Sequence, residues 1–94
     1  MSFDAGTGGT STFATRQMDN GTNTIDYNLY RDAAHTEILG DGDGDGDGSG
    51  GTFTITFTST GGNDEFDVFG RTDPGQNPKP TGTYSSTITA TVTF

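Results

Sequence analysis

The sequence predicts an all-β domain of the Greek-key sandwich kind, and three observations carry that expectation. Apolar and polar residues alternate with a period of two in several short stretches, which puts one set on each face of a strand. Glycine, asparagine, aspartate and proline punctuate the spaces between them. No stretch carries helical periodicity beyond a turn or two, the best being residues 32–39 (DAAHTEIL) behind Asp32 as N-cap.

In chain order, a scrap of strand is expected near Phe3 and a weak one over residues 10–18 around Phe13. Residues 24–31 (TIDYNLYR) place Ile25, Tyr27 and Leu29 on one face. Residues 52–60 (TFTITFTST) do the same with Phe53, Ile55 and Phe57, and residues 65–70 (EFDVFG) with Phe66 and Val68. Thr60, Gly61, Gly62, Asn63 and Asp64 between the last two supply turn residues suited to positive φ, so these two strands are expected to form an antiparallel hairpin with their apolar side chains in the core. Residues 71–82 hold all three prolines and read as a loop crossing to the final strand. That strand, GTYSSTITATVTF at 82–94, alternates Tyr84, Ser86, Ile88, Ala90, Val92 and Phe94 against Ser85, Thr87, Thr89, Thr91 and Thr93. It is free of charge after Gly82 and free of proline, so as a sheet edge it invites a partner strand.

Composition narrows the function. With 94 residues the chain is read as one small domain, 1–94, with little core to spare. Leu, Ile, Val and Phe together make up fewer than a fifth of the chain, and the net charge is -9, which lies near the boundary of intrinsic disorder. The regular alternation of its aromatic and β-branched residues argues for a fold instead. Four basic residues against thirteen acidic ones argue against nucleic acid or anionic membrane as a partner, because phosphate binding needs a positive surface. Cysteine is absent, so neither a disulfide nor a thiolate metal site braces the chain. No apolar run spans a bilayer, and the start, Met1-Ser2-Phe3-Asp4, has neither the basic residues nor the apolar stretch of a secretion signal.

The loop 40–51 (GDGDGDGDGSGG) resembles the opening of a calcium loop, with Asp41, Asp43, Asp45 and Asp47 at alternate positions. Twelfth positions counted from these acids fall on Thr52, Thr54, Thr56 and Thr58, where an EF-hand needs a bidentate acid. The favoured reading is a self-repelling, solvated loop, with no metal and no cofactor expected. His35 is alone, so it assembles no metal triad or assisted nucleophile. Asp64, Glu65 and Asp67 read as acidic decoration of a hairpin, with Asp67 facing solvent between Phe66 and Val68. No enzyme is expected. The threonine faces suit the wet side of any sheet, and equally a face that stacks between subunits.

Several of these elements, in this order, resemble a known family. YNLYRDAAHTEILGDGD at 27–43 and VFGRTDPGQNPKPTGTYSSTITATVTF at 68–94 are similar to the spore coat protein U domain, the pilin domain of the archaic chaperone-usher pathway. Phe69-Gly70-Arg71, Pro74-Gly75-Gln76, and upstream Ser2-Phe3-Asp4-Ala5-Gly6 and Thr15-Arg16-Gln17-Met18 extend the likeness over nearly the whole chain. The resemblance implies an incomplete immunoglobulin-like sandwich, lacking a strand that another chain supplies. It further implies passage through the periplasm with a chaperone and an usher, then assembly with other copies or related pilins into surface fibres for adhesion and biofilm formation. It marks Tyr84, Ile88, Ala90, Val92 and Phe94 as the subunit-interface strand. Typical members carry a signal peptide, a donor extension and two cysteine-containing strands ahead of the region matched here, so the expected subunit lacks those N-terminal strands, and its Gly-Asp loop is longer than theirs. The competing expectation is a stand-alone sandwich that binds carbohydrate or a surface, with or without calcium.

Overall fold

The computed structural model describes residues 1–45, 50–58, 60–62, 65–76 and 79–92. It is all-β, with five strands in two antiparallel sheets and no helix among the described residues. The strands are β1 (Ser2–Phe3), β2 (Arg16–Asp19), β3 (Thr24–Tyr30), β4 (Phe69–Thr72) and β5 (Ala90–Thr91). One sheet has the order β2-β3-β4, and the other pairs β1 with β5.

Turn chemistry sets the first pairing. Asn20 Oδ1 accepts from the amides of Thr22 and Asn23 at 3.0 and 2.7 Å, and Gly21 takes φ 94°, where a Cβ would be strained. That closes β2 onto β3 with Arg16 opposite Tyr27 and Asp19 opposite Thr24. The other edge of β3 takes β4, with Tyr27 opposite Thr72 and Tyr30 opposite Phe69. Beyond β4, Pro74 and Gly75 (φ 77°) turn the chain, and the Gln76 side chain folds back onto β3. Its Oε1 accepts from the Asp26 amide at 2.8 Å and its Nε2 donates to the Asp26 carbonyl at 2.9 Å. A side chain thus continues the ladder that the backbone leaves.

β3 is central, and its later half is buried on both faces: Tyr27 and Asn28 are both buried, as is Tyr30. Leu39, fully buried, joins the two regions through its amide on the Leu29 carbonyl and a parallel bridge to Phe53. Phe3 completes the buried apolar set among the described residues. At the centre lies a cation: Arg16 is fully buried and Asn28 only 2% exposed. The Arg16 guanidinium donates through Nη1 to Asn28 Oδ1 at 2.6 Å and through Nη2 to the Asp4 carbonyl at 2.7 Å, so it ties β2, β3 and the end of β1 together. Asn28 Nδ2 donates in turn to the carbonyls of Phe13 and Ala14 at 2.8 and 3.0 Å. Burial pushes the Arg16 guanidinium down from its usual range, against the opposing fields of Tyr27, Asp4 and Asp45.

Three expectations need correction. The hairpin between residues 52–60 and 65–70 is not formed among the described residues. Only Phe53 is bridged, to Leu39, while Phe69 and Gly70 pair with β3. Phe57 and Phe66 still meet edge to face at 4.5 Å between ring centres, so the two stretches touch by side chains without sharing a ladder among the described residues. The reason is competition, because β3 offers a long buried edge and takes the end of the second stretch. The turn residues Asn63 and Asp64 lie outside the described residues. Second, the core is elsewhere: Val68 is 42% exposed, and Phe53, Ile55, Phe57 and Phe66 are only half-buried. Third, Arg71 and Thr72 belong to β4 rather than to the loop, and among the described residues the final strand forms a regular ladder only at Ala90–Thr91.

The chain exposes 5889 Å², whereas a compact folded monomer of this mass exposes about 5,200 Å². The excess is apolar in part, since both Val68 and Val92 lie open.

Candidate functional site: the open edge of the terminal strand

Residues 84–92 run along the N-terminal segment with one edge covered. The Ser85 amide and carbonyl exchange bonds with Asp19 of β2, both at 2.9 Å. The Thr87 carbonyl accepts from the Thr7 amide at 3.1 Å and the Thr89 carbonyl from the Asp4 amide at 3.0 Å. The amides of Thr87 and Thr89 go to the side chains of Thr7 and Asp4. Thr91 then pairs with Ser2. Every odd residue from 85 to 91 therefore turns its backbone toward residues 2–7 or β2.

A strand's backbone groups alternate between its two edges. Ser86, Ile88 and Val92 make no backbone hydrogen bond to any described residue, and Ala90 stands opposite Phe3, whose amide goes the other way, to the Gly40 carbonyl. The even edge is thus unpaired among the described residues. No side-chain charge guards it, and no proline interrupts it between Thr81 and Val92.

The side chains follow the expected alternation in part. Thr87, Thr89 and Thr91 are exposed, while Tyr84, Ser86 and Ile88 are half-buried. Gly6 is required beside them: a Cβ there would stand 2.7 Å from Ile88 Cδ1 and 2.8 Å from Ser86 Oγ, and its φ is 88°. Tyr84 donates its hydroxyl to the Pro80 carbonyl at 2.8 Å, an arrangement like the tyrosine corner of immunoglobulin-type sandwiches. Ala90 is exposed and Val92 is 39% exposed, so the apolar face is uncovered where it meets the open edge. Phe94 lies outside the described residues.

The acidic loop uses its carboxylates on its own backbone. Asp41 Oδ1 accepts from the amides of Gly44 and Asp43 at 2.7 and 2.9 Å, which hold its carboxyl below the ordinary range. Asp45 receives the amides of Phe13 and Ala14 at 3.0 and 2.8 Å and so staples the loop to the segment before β2. Asp47 lies outside the described residues, among which no three metal-binding side chains converge. Glu65 and Asp67 are exposed. His35 sits in the turn after β3 at φ 59°, edge-on to Tyr30 and Phe69 at 5.3 and 6.5 Å. The Asp32 carboxylate caps that turn through the amides of Thr36 and Glu37.

Sequence reasoning passes over Arg16 and Asn28 as structural residues. The pattern gives little signal, because the alternation of residues 24–31 places Asn28 on the face opposite Tyr27 and Leu29.

An open edge on an all-β frame is a feature many folds share, and the match to known families decides between them. Residues 1–91 match the model of the Spore Coat Protein U domain. The chain belongs to that family. No curated protein and no solved structure matches it. The Spore Coat Protein U domain is associated with surface structures of the pilus or fibre type, and the family is structural rather than enzymatic. No helix among the described residues is long and apolar enough to cross a membrane.

Proposed function

We propose that this protein is a structural subunit of an extracellular pilus or fibre, joined to its neighbours by β-strand complementation and serving adhesion or biofilm formation. The supporting observation is the unpaired edge of Ser86, Ile88, Ala90 and Val92, bordered by exposed apolar side chains. Backbone groups on such an edge bond water until a strand replaces it, and the added ladder supplies affinity along its whole length. Tyr84, Ile88, Ala90, Val92 and Phe94 are the interface strand in this reading, and a periplasmic chaperone and an usher hold that edge before assembly.

Negative-stain microscopy of the purified chain tests it. Filaments or ordered oligomers are expected, and Ile88→Asp abolishes them because it would bury a charge with no partner. Circular dichroism separates lost assembly from lost folding. A monomer at high concentration, with the even amides of the last strand protected from exchange, would sink the proposal. The alternative is a stand-alone binding module, and an open cleft of about 330 Å³ between β1, β5, Phe13 and Asp41 is the feature that favours it.

A further inference from the structure

Two turns, at Asn20-Gly21 and Asp41-Gly42, share one geometry. Asn20 Oδ1 accepts from the amides of Thr22 and Asn23 at 3.0 and 2.7 Å, and Asp41 Oδ1 accepts from those of Asp43 and Gly44 at 2.9 and 2.7 Å. In each turn the next residue is a glycine at φ 94°. The chemistry of the two differs. Asp41 is a carboxyl that its amide donors hold ionised, and a carboxylate resists attack by a nucleophile. The Gly42 amide is also occupied, on the Gly51 carbonyl at 3.2 Å. Asn20 instead offers a neutral amide carbon, and the Gly21 amide donates to the carboxylate of Asp19 at 3.3 Å. Asn20 and Gly21 are exposed to water, and nothing stands within 4 Å of where a Gly21 Cβ would lie.

These groups are the parts of an acyl-transfer site. The Gly21 nitrogen is placed as nucleophile and the Asp19 carboxylate as base. The Thr22 and Asn23 amides bond the oxygen on which negative charge gathers when Cγ is attacked.

We infer that Asn20 is a self-modification site, at which the Gly21 amide converts it to aspartate. The Gly21 nitrogen bonds to Asn20 Cγ, and the Cγ–Nδ2 bond breaks with its electron pair on Nδ2. The Gly21 proton passes through the Asp19 carboxylate to Nδ2, which leaves as ammonia, and a succinimide ring remains. Water adds at Cγ, the N–Cγ bond breaks, and the Gly21 nitrogen recovers a proton from that water. The product is an aspartate, and the chain becomes one unit more negative than its -9. Water attack on the main-chain carbon of residue 20 would give isoaspartate, with an extra methylene in the backbone. The two amides on Oδ1 polarise Cγ and direct water there, and the new carboxylate finds the same cradle that Asp41 already occupies. The inference stands apart from the fibre reading and does not depend on it.

Incubating the purified chain at neutral pH, folded and in concentrated urea, tests this by peptide mass mapping. Asn20 is the only asparagine of the chain followed by glycine, so Asn23 and Asn28 serve as internal controls. The Asn20 peptide is expected to gain about 1 Da. It does so at least about threefold faster in the folded chain than in urea, with aspartate rather than isoaspartate as the main product. Asp19→Asn, checked for folding by circular dichroism, brings the folded rate down to the rate in urea. A wild-type chain in which Asn20 reacts no faster folded than unfolded overturns the inference, because the turn then protects the side chain instead of activating it. Isoaspartate as the main folded product also overturns it, as does a folded Asp19→Asn chain that reacts as fast as the wild type.

Discussion

β3 and residues 52–58 alternate with equal regularity, yet one is the best-held strand of the molecule and the other is barely a strand at all. Thr24–Tyr30 has β2 along one edge and β4 along the other, and residues 27–28 and Tyr30 are buried. Among the described residues, the backbone of 52–58 meets other backbone only at Phe53 and Ile55, and none of the side chains there is buried. Alternation fixes which face a side chain occupies. It carries no information about whether the backbone has neighbours, and pairing on both edges is what turns an extended segment into the centre of a sheet.

The largest effect is expected where β3 meets the buried cation. Asn28→Leu leaves Arg16 Nη1 and the carbonyls of Phe13 and Ala14 without their partner, and stability in urea falls by about 3–5 kcal/mol. A loss under about 1 kcal/mol would mean that water reaches the guanidinium and that β3 is less enclosed than described. Phe57→Ala probes the other stretch. It gives up an edge-on ring contact at a half-buried position and costs about 1 kcal/mol, where a fully buried phenylalanine would cost about 3–5 kcal/mol. The larger figure, measured in the monomer, would erase the contrast between the two stretches.

The smallest effect concerns the turn that leaves β3. The Asp32 carboxyl is lowered from an ordinary 3.8 to about 2, first by the Thr36 hydroxyl and then by backbone amides. Its folded value lies below its unfolded one, so its contribution is present above pH 3.8 and is lost as pH falls through about 2. A carboxyl titration by nuclear magnetic resonance should place the midpoint near 2. Thr36→Val should move it back toward 3.8, and an unmoved midpoint would assign the shift to the amides alone.

Much of this is legible in the residues, for reasons that differ by element. β3 can be read because its alternation is flanked by turn residues on one side and a capping aspartate on the other. The terminal edge can be read because a charge-free alternating stretch leaves few other assignments. The 52–70 hairpin cannot, because two strands with equal patterns compete for β3 and pattern alone does not rank them. Arg16 escapes for a different reason: exposure is the ordinary fate of arginine, and only the spatial meeting of Asn28 Oδ1 with the Asp4 carbonyl reveals why this one is buried.

The Gln76 side chain that mimics backbone on Asp26 fixes something beyond its two hydrogen bonds. A strand can slide along its neighbour by two residues and keep the same faces inward, so hydrophobic pattern does not forbid that error. Sliding β4 along β3 would carry Gln76 away from Asp26 and the Asp73 amide away from the Asp26 carbonyl, which it meets at 3.0 Å. With a glycine turn holding residue 76 a fixed distance past β4, the side chain acts as a bolt, and the three-stranded sheet has one position in which it closes.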